Sequence, residues 1–375
     1  APERLTTIRE TQTLIRSYGW SDALQRDFQA FADQGLAPAR VIIQRRGAYR
    51  IVGDAGEAEA RITGRLAHDA TEGGYPVTGD WVAAELDPSG GLAMIHTVLP
   101  RASVFTRRAA GESGAIQVVA ANIDVAFVTA SLNADLNARR LERYLTMAHE
   151  SGARPVIVLT KADVCDDVAA LMAEVTAAAA GVRVLAISSR TGQGLEALRS
   201  EMAPGATAVL LGSSGVGKST LVNALAGREK MATREIREDD ARGRHTTTHR
   251  ELVLLPSGAL ILDTPGMREL GLADAEAGLA AAFADFQGVV DQLAEDCRFR
   301  DCAHGAEPGC AVRAALEDGR LDRDRWESFG KLRRELAHEA RKEDPRARSQ
   351  ARKVFISRTK GLRAMLTQRR REREE

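Results

Sequence analysis

The chain has 375 residues, 44% of them hydrophobic, and its 52 Lys and Arg balance 52 Asp and Glu. This length allows two or three domains with buried cores, and the composition is typical of a globular protein. The sequence contains no apolar run of about 18 residues, and residues 1–18 lack the apolar centre of a secretory signal, so neither a membrane span nor export is predicted.

The neutral net charge hides an uneven distribution. Residues 331–375 carry sixteen Lys and Arg against seven Asp and Glu, a surplus of nine positive charges. Because the whole chain is neutral, the remainder carries a surplus of nine negative charges. A basic C-terminal segment on an acidic body suits a polyanionic partner, although such segments are also common as solvated helices.

The first part of the chain is predicted to form a helical extension followed by a barrel. Residues 1–37 have a helical pattern with Trp20 and Phe28 as candidate anchors. Residues 38–112 contain five short strand-like runs separated by glycine-containing turns, which predict an OB-type β-barrel. Three arginines of this region favour contact with RNA, although many such barrels are only structural. They are Arg45, Arg46 and Arg50.

The rest of the chain is predicted to form an α/β domain and a helical domain. Residues 101–121 have the composition of a linker, and strand and helix patterns alternate after them. This alternation predicts a central domain over residues 113–275, with a mostly parallel sheet covered by helices on both faces. Residues 276–375 are predicted to be helical, with a Cys/His cluster and basic C-terminal helices.

A complete P-loop lies between a predicted strand and a predicted helix. Its backbone N–H groups are suited to hold phosphates, Lys218 supplies charge to the β- and γ-phosphates, and the Ser219 hydroxyl ligates Mg²⁺. A P-loop alone does not distinguish GTP from ATP. The loop consists of Gly212, Ser213, Ser214, Gly215, Val216, Gly217, Lys218, Ser219 and Thr220.

Two further segments favour guanine. Thr160, Lys161, Ala162 and Asp163 follow a predicted strand and are similar to the Asn-Lys-x-Asp motif that reads the base in GTPases. Asp163 would accept two hydrogen bonds that only guanine offers, and the Lys161 stem would cover the ring. Ser188 and Ser189 follow the next strand, where GTPases place a backbone N–H on the guanine oxygen. The alternative is a surface ion pair between Lys161 and Asp163.

The motifs that sense the γ-phosphate come after the P-loop. Asp263 ends a predicted strand and would hold Mg²⁺ through water, and the Gly266 N–H would contact the γ-phosphate. Residues 243–249 are polar and are predicted to be a switch segment, in which Thr247 completes the Mg²⁺ shell, with Thr248 as the alternative.

The order of these motifs is unusual. Asp163 and Ser188 precede Gly212, whereas Ras-like proteins present the P-loop first. A parallel sheet tolerates such a circular permutation, because the same strands still bring the same loops to one edge. The permutation also places the C-terminal part of the chain directly after the switch segments.

Four metal-binding side chains cluster within fourteen residues: Cys297, Cys302, His304 and Cys310. Three thiolates and one imidazole suit one tetrahedral structural Zn²⁺ with no open ligand position. The alternative is a set of free thiols beside a surface histidine. Since four cysteines cannot build a disulfide framework for a chain of this length, we expect a reducing, cytoplasmic location.

Taken together, these motifs resemble those of the bacterial small-subunit-dependent GTPases, the RsgA or YjeQ family, over nearly the whole chain beyond the first ~35 residues. The resemblance implies an OB barrel, a circularly permuted GTPase domain and a zinc-binding domain. It also implies a late-stage assembly and checkpoint factor of the small ribosomal subunit. Such a factor hydrolyses GTP to GDP and phosphate slowly alone and faster on the subunit.

The same resemblance implies a set of partners. They are the small ribosomal subunit with its rRNA, GTP and GDP, and other maturation factors of the subunit. No membrane partner is implied, and we expect a monomer with Mg²⁺ bound alongside GTP.

Two positions depart from ordinary GTPases. Thr160 replaces the usual Asn, which is expected to weaken the tie between the base loop and the P-loop. Met267 stands where Ras-like enzymes place a glutamine that orients water, so another group must position the attacking water. His245 is our candidate, and His249 is the alternative. The catalytic set predicted from the sequence is therefore Lys218, His245 and Thr247.

Two other functions compete with this hypothesis. One is an RNA-binding protein on a non-ribosomal RNA, in which guanine nucleotide is mainly a structural ligand. The other is a P-loop ATPase or kinase, which Asp163 disfavours because adenine cannot satisfy its carboxylate.

Overall fold

The computed structural model describes eight segments of the chain: residues 13–45, 47–70, 74–108, 116–132, 136–179, 181–227, 250–263 and 275–343. Within these segments, no helix combines the length and the apolar character that a membrane crossing requires. The predicted switch segment 243–249 and the basic residues beyond 343 lie outside them.

The first elements form a short helical extension and a closed barrel. Five strands follow one another in the spatial order β1-β2-β3-β5-β4, and β4 pairs back onto β1. The predicted five-stranded barrel is therefore confirmed. The elements are α1 (Leu14–Ser17), α2 (Asp22–Ala32), β1 (Ala37–Arg45), β2 (Ala48–Gly53), β3 (Gly56–Ile62), α3 (Gly64–Asp69), β4 (Trp81–Glu85) and β5 (Ala93–Val98).

The helical extension is fastened to the barrel by aromatic side chains. Trp20 is buried, with its ring centroid 5.0 Å from that of Trp81 and 5.7 Å from that of Phe28, both in edge-on geometry. Such pairs contribute about 0.5–1.5 kcal/mol beyond the area that they bury. Trp20 and Phe28 are thus anchors, as the sequence predicted.

Arg40 on β1 joins three parts of the molecule. Its buried guanidinium donates to the carbonyl oxygens of Tyr18, Gly79 and Asn122 and to the Thr207 hydroxyl. Burial lowers the pKa of Arg40 to about 10, so the group stays charged at neutral pH. The extension, the barrel and the following domain therefore share one buried cation.

The segment predicted to be a linker contains a two-stranded antiparallel sheet, so the linker interpretation is wrong there. Its strands are β6 (Val104–Arg108) and β7 (Ile116–Ala121). Phe105 and Val119 are buried in the main core, although both runs are too short to show a clear pattern in the sequence.

The central sheet has the predicted alternation of strands and helices. Strands run in the order β10-β9-β8-β11-β13-β12, and neighbours are parallel except for the antiparallel pair β12 and β13. Helix α6 was not predicted. The elements are β8 (Val125–Ser131), α4 (Ala138–Ser151), β9 (Arg154–Thr160), α5 (Val168–Ala178), β10 (Arg183–Ala186), α6 (Leu195–Arg199), β11 (Thr207–Leu211), α7 (Lys218–Ala226), β12 (Arg250–Leu254) and β13 (Leu260–Asp263).

The barrel and the central sheet are hydrogen-bonded to each other. Strand β12 pairs antiparallel with β1 of the barrel, with Glu251 opposite Ile43 and Arg250 opposite Gln44. The two units thereby form one sheet of eleven strands among the described residues. Nothing in the sequence indicates this pairing.

The C-terminal helices pack against α4 of the central domain. Arg143 on α4 makes two hydrogen bonds of 2.7 Å to Glu335 on α11, and Phe283 and Phe329 are buried in the shared core. Bidentate arginine–carboxylate pairs fix orientation as well as adding energy. The helices are α8 (Glu276–Ala282), α9 (Ala284–Glu295), α10 (Ala311–Glu317) and α11 (Arg323–Glu343).

Candidate nucleotide-binding and metal sites

The P-loop connects β11 to the first turn of α7, as predicted. Gly212 approaches β8 so closely that a Cβ would clash with Thr129, and Gly217 has a φ of +95°, which favours glycine. Lys218 begins α7, and its ammonium donates to the carbonyl oxygens of Gly212 at 2.7 Å and Ser213 at 2.5 Å. The P-loop thus brings together the backbone N–H groups at the start of α7 and the ammonium of Lys218. Such an arrangement is suited to bind phosphates.

Thr160 ties the base-reading loop to the P-loop. It lies at the end of β9, and its buried hydroxyl donates to the Val216 carbonyl oxygen at 2.6 Å and lies 3.2 Å from the Ala130 carbonyl oxygen. The two loops are therefore tied together with threonine at this position. A hydroxyl is shorter than an amide, but the P-loop carbonyl lies close enough for it to reach.

Asp163 and Ser188 are brought together at the ends of β9 and β10. Ser188 donates a hydrogen bond to the Asp163 carboxylate, and Arg190 Nε lies 3.0 Å from it. The Ser188 hydrogen bond first, and the Arg190 cation as well, lower the pKa of Asp163. The carboxylate is therefore ionised at neutral pH, as an acceptor for guanine requires. Lys161 adopts a φ of +61°, an unusual value for a residue with a side chain.

The remaining predicted site residues are placed only in part. The backbone of Asp263 ends β13, which lies beside β11 in parallel register, so both strands end at the same edge. Ala162, Ser189, Ser214 and Gly215 belong to the loops already described, and Thr220 lies in the first turn of α7. Thr247, His245 and Gly266 lie outside the described residues.

The four predicted metal ligands form a tight cluster. One ligand atom from each of Cys297, Cys302, His304 and Cys310 lies within 4.8 Å of all the others. The His304 Nδ1 is 3.7 Å from the Cys297 Sγ and 3.5 Å from the Cys310 Sγ, and these two sulfurs are 3.9 Å apart. Tetrahedral Zn–S bonds of about 2.3 Å place sulfurs roughly 3.8 Å apart, so the geometry is compatible with zinc.

Burial opposes ionisation of the Cys297 thiol, but the hydrogen bonds from the backbone N–H groups of Ala311 and Val312 and from the Cys302 and Cys310 thiols together outweigh it, so the pKa of Cys297 is lowered. These N–H groups belong to the first turn of α10, where the helix dipole also favours a negative group. A thiolate is the form that binds metal.

The barrel arginines are less available to a polyanion than the sequence suggested. Arg50 lies 2.8 Å from Glu59 and 3.9 Å from Glu57, and Arg45 lies 4.0 Å from Glu59. Carboxylates therefore offset both positive charges. Arg46 lies outside the described residues.

One contact of the P-loop was not foreseen. Arg140, in the first turn of α4, donates from Nη1 to the Ser213 hydroxyl at 3.2 Å. Arg140 belongs to none of the motifs, and only the packing of α4 against β8 and β9 reveals it.

In spatial order these strands and loops form a P-loop nucleotide-binding fold whose chain order is circularly permuted. Two solved structures are similar. YjeQ from Thermotoga maritima has a TM-score of 0.59 at 23% identity, covering 80% of this chain and 99% of that chain. YloQ, described as a circularly permuted GTPase, has a TM-score of 0.56 at 22% identity, covering 81% of this chain and 96% of that chain.

Sequence comparison agrees with the motifs. The model of the RsgA GTPase family matches residues 98–273. A small ribosomal subunit biogenesis GTPase RsgA from Opitutus terrae is 47% identical over 341 residues, which cover 88% of this chain and 92% of that protein. A protein of the same name from Streptomyces coelicolor is 44% identical over 353 residues, which cover 93% of this chain and 94% of that protein. The chain therefore belongs to the RsgA GTPase family, as the motifs predicted.

Proposed function

We propose that this chain hydrolyses GTP to GDP and phosphate, and that it does so in the biogenesis of the small ribosomal subunit. The observation that carries the first part is the hydrogen bond of Thr160 to Val216, which joins a guanine-type base loop to a P-loop. The names of the relatives from Opitutus terrae and Streptomyces coelicolor support the second part.

In this proposal the phosphates lie on the P-loop and the base lies on Asp163. Residues 212–220 provide the phosphate cradle, with Lys218 as the cation for the β- and γ-phosphates. Thr160, Lys161 and Ala162 shape the base loop, while Ser188 and Ser189 lie beside the guanine oxygen. The ionised Asp163 supports this assignment, because it is held ready by Ser188.

Ser219 and Asp263 fit a Mg²⁺ site. Both offer oxygen ligands, which Mg²⁺ prefers; Ser219 comes after β11, and Asp263 ends the neighbouring parallel strand β13. Thr247 would complete the set. When bound, Mg²⁺ neutralises charge on the β- and γ-phosphates.

Hydrolysis is proposed to depend on the switch segments. Gly266 contacts the γ-phosphate through its N–H, and His245 positions the attacking water in place of the glutamine that Met267 replaces, with His249 as the alternative. Slow turnover without a partner follows, because Met267 cannot orient water as the glutamine of Ras-like enzymes does.

The other units supply binding surfaces. We propose an extension over residues 1–37, a barrel of the OB type over residues 38–112, a GTPase domain over residues 113–275 and a zinc-binding domain over residues 276–375. The cysteine cluster supports one structural Zn²⁺ and a reducing, cytoplasmic location. The basic C-terminal residues are suited to rRNA phosphates, and other maturation factors of the subunit are further partners of a monomeric chain.

Phosphate release with and without purified small subunits tests both halves of the proposal. We expect slow release alone and an acceleration on the order of tenfold or more with small subunits at low salt, declining as salt rises. Large subunits are the control. Release that small subunits do not accelerate would reject the ribosomal role and leave the nucleotide chemistry standing.

Replacing Asp163 with asparagine is expected to change the base that the site selects. Losing two charge-assisted hydrogen bonds should weaken GTP binding roughly 10–100-fold, and the new amide should favour xanthine, which carries a carbonyl oxygen in place of the 2-amino group. Because its pKa is lowered, wild-type Asp163 should keep its preference across neutral pH and lose it only in acid, as the pH falls through that lowered value.

Titration with fluorescent GDP and XDP measures this change. The matched control is Asp166→Asn, an exposed carboxylate three residues away. If Asp163→Asn kept the preference for GDP, Asp163 would not read the base.

A further inference from the structure

The Asp163 carboxylate, to which the guanine base is assigned, has a cationic partner within the chain. Arg190 Nε lies 3.0 Å from Asp163 Oδ2. The Asp163 side chain is only 12% exposed, whereas the Arg190 side chain is 76% exposed. An arginine that extends through solvent therefore reaches a carboxylate that is itself recessed in the base loop.

The turn that carries Arg190 is fixed by Ser188. The Ser188 hydroxyl donates to the Asp163 carboxylate and accepts from the Thr191 backbone N–H at 3.2 Å. The Ser188 backbone N–H donates to the Gln193 carbonyl oxygen at 2.9 Å. Because Arg190 lies inside this hydrogen-bonded turn, its contact with Asp163 can break through movement of the arginine side chain alone.

Arginine and guanine offer a carboxylate the same kind of donors. Guanine presents its N1–H and its 2-amino group on either side of one ring carbon. A guanidinium likewise presents Nε–H and Nη–H on either side of Cζ. The Asp163 oxygen that accepts from Arg190 is therefore one that guanine would use, and the two partners compete for it.

We propose that Arg190 is an internal competitor of guanine, which holds the Asp163 carboxylate until a guanine nucleotide displaces it. The inference rests on the proposed function, in which Asp163 reads the base. A chain with the arginine in place does not bind the base, so the measured affinity is the intrinsic affinity reduced by the fraction of chains in which Asp163 is open.

The size of the effect follows from the exposure of the arginine. Ion pairs that are open to solvent are weak, so only part of the population is closed at any moment. Removing such a pair should raise nucleotide affinity about two- to sixfold. Salt screens an exposed pair, so the difference between wild type and variant should shrink as the salt concentration rises.

The test measures fluorescent GDP binding by stopped flow with the full chain carrying Arg190→Ala. We expect a higher association rate and an unchanged dissociation rate, because the arginine acts on the chain before the base is bound. The matched control is Arg183→Ala, which removes an exposed arginine that begins β10 and lies 3.5 Å from Glu201. This control should keep both wild-type rates.

A double-mutant cycle shows whether the effect passes through Asp163. In an Asp163→Asn background no carboxylate remains for the arginine, so adding Arg190→Ala should leave the affinity for XDP unchanged. An equal gain of affinity in both backgrounds would place the action of Arg190 elsewhere and overturn the proposal.

Two other results would also overturn it. Weaker GDP binding by Arg190→Ala would make the arginine a contact of the bound base, and unchanged binding at low salt would show that the ion pair does not oppose the nucleotide. The proposed function fails separately: a wild-type chain that binds no guanine nucleotide would reject it and this inference together, whereas a wild-type chain that binds GDP as tightly as Arg190→Ala would reject only the competition.

Discussion

Replacing Lys218 with alanine is expected to reduce GTP hydrolysis to the background rate. The ammonium lies within the P-loop, bonded to the Gly212 and Ser213 carbonyl oxygens, so it is already placed where we propose that the β- and γ-phosphates bind. Removing one preorganised group that stabilises developing charge typically costs 10²–10³-fold in kcat, so a loss of at least about that size is expected. Single-turnover phosphate release, with and without small subunits, measures it.

Two comparisons make this result specific. Lys331→Ala removes a lysine from the exposed face of α11 and should leave the basal rate unchanged. Circular dichroism of the Lys218 variant should match the wild type, because the hydrogen bonds of the lysine to Gly212 and Ser213 lie within the P-loop and outside the hydrophobic core. A Lys218→Ala protein that hydrolysed GTP at the wild-type rate would exclude the P-loop as the phosphate site.

Removing the metal is expected to unfold the cluster that holds it. Cys297, Cys302, His304 and Cys310 lie on a loop that ends at α10, and beyond Cys310 itself few buried apolar side chains support it. Apparent binding free energies of structural zinc sites are about 10–16 kcal/mol at neutral pH. The packing of this loop cannot replace a stabilisation of that size when the metal is removed. Chelation or Cys310→Ser should therefore make residues 297–310 exchange amide hydrogens rapidly and become sensitive to protease.

Zinc content and hydrogen exchange measure this effect together. Cys165→Ser is the control, because Cys165 is not part of the cluster. We expect this variant to retain one Zn²⁺ per chain. The central sheet should stay protected after chelation, because one of its faces packs in a separate hydrophobic core that contains none of the four cluster residues. Slow exchange of residues 297–310 in the metal-free chain would contradict a structural metal.

The sequence was most informative where the chemistry is local. The P-loop was predicted to run from a strand into a helix that begins at Lys218, and α7 begins there, because glycines and a lysine at fixed spacing define that turn. The clustering of Cys297, Cys302, His304 and Cys310 was predicted for the same reason. The five barrel strands were also predicted, since glycine-containing turns separate them clearly.

Features that depend on contacts distant in the chain were missed. The pairing of β12 with β1 joins residues about two hundred positions apart and leaves no pattern in either strand. The partner of the Thr160 hydroxyl, the Val216 carbonyl oxygen, was also missed, because the position of Val216 could not be known from the sequence. Arg140 was missed because helical packing places it on the P-loop, and it belongs to no motif.

The pairing of β12 with β1 has a practical consequence for dividing the chain. A fragment that began after the barrel would leave β12 as a bare outer strand, with its N–H and C=O groups open to other molecules. Unprotected edges of this kind recruit strands from neighbouring chains and promote aggregation. Nucleotide binding is therefore best studied with the barrel attached, since it shields the flank of the domain that we propose binds GTP.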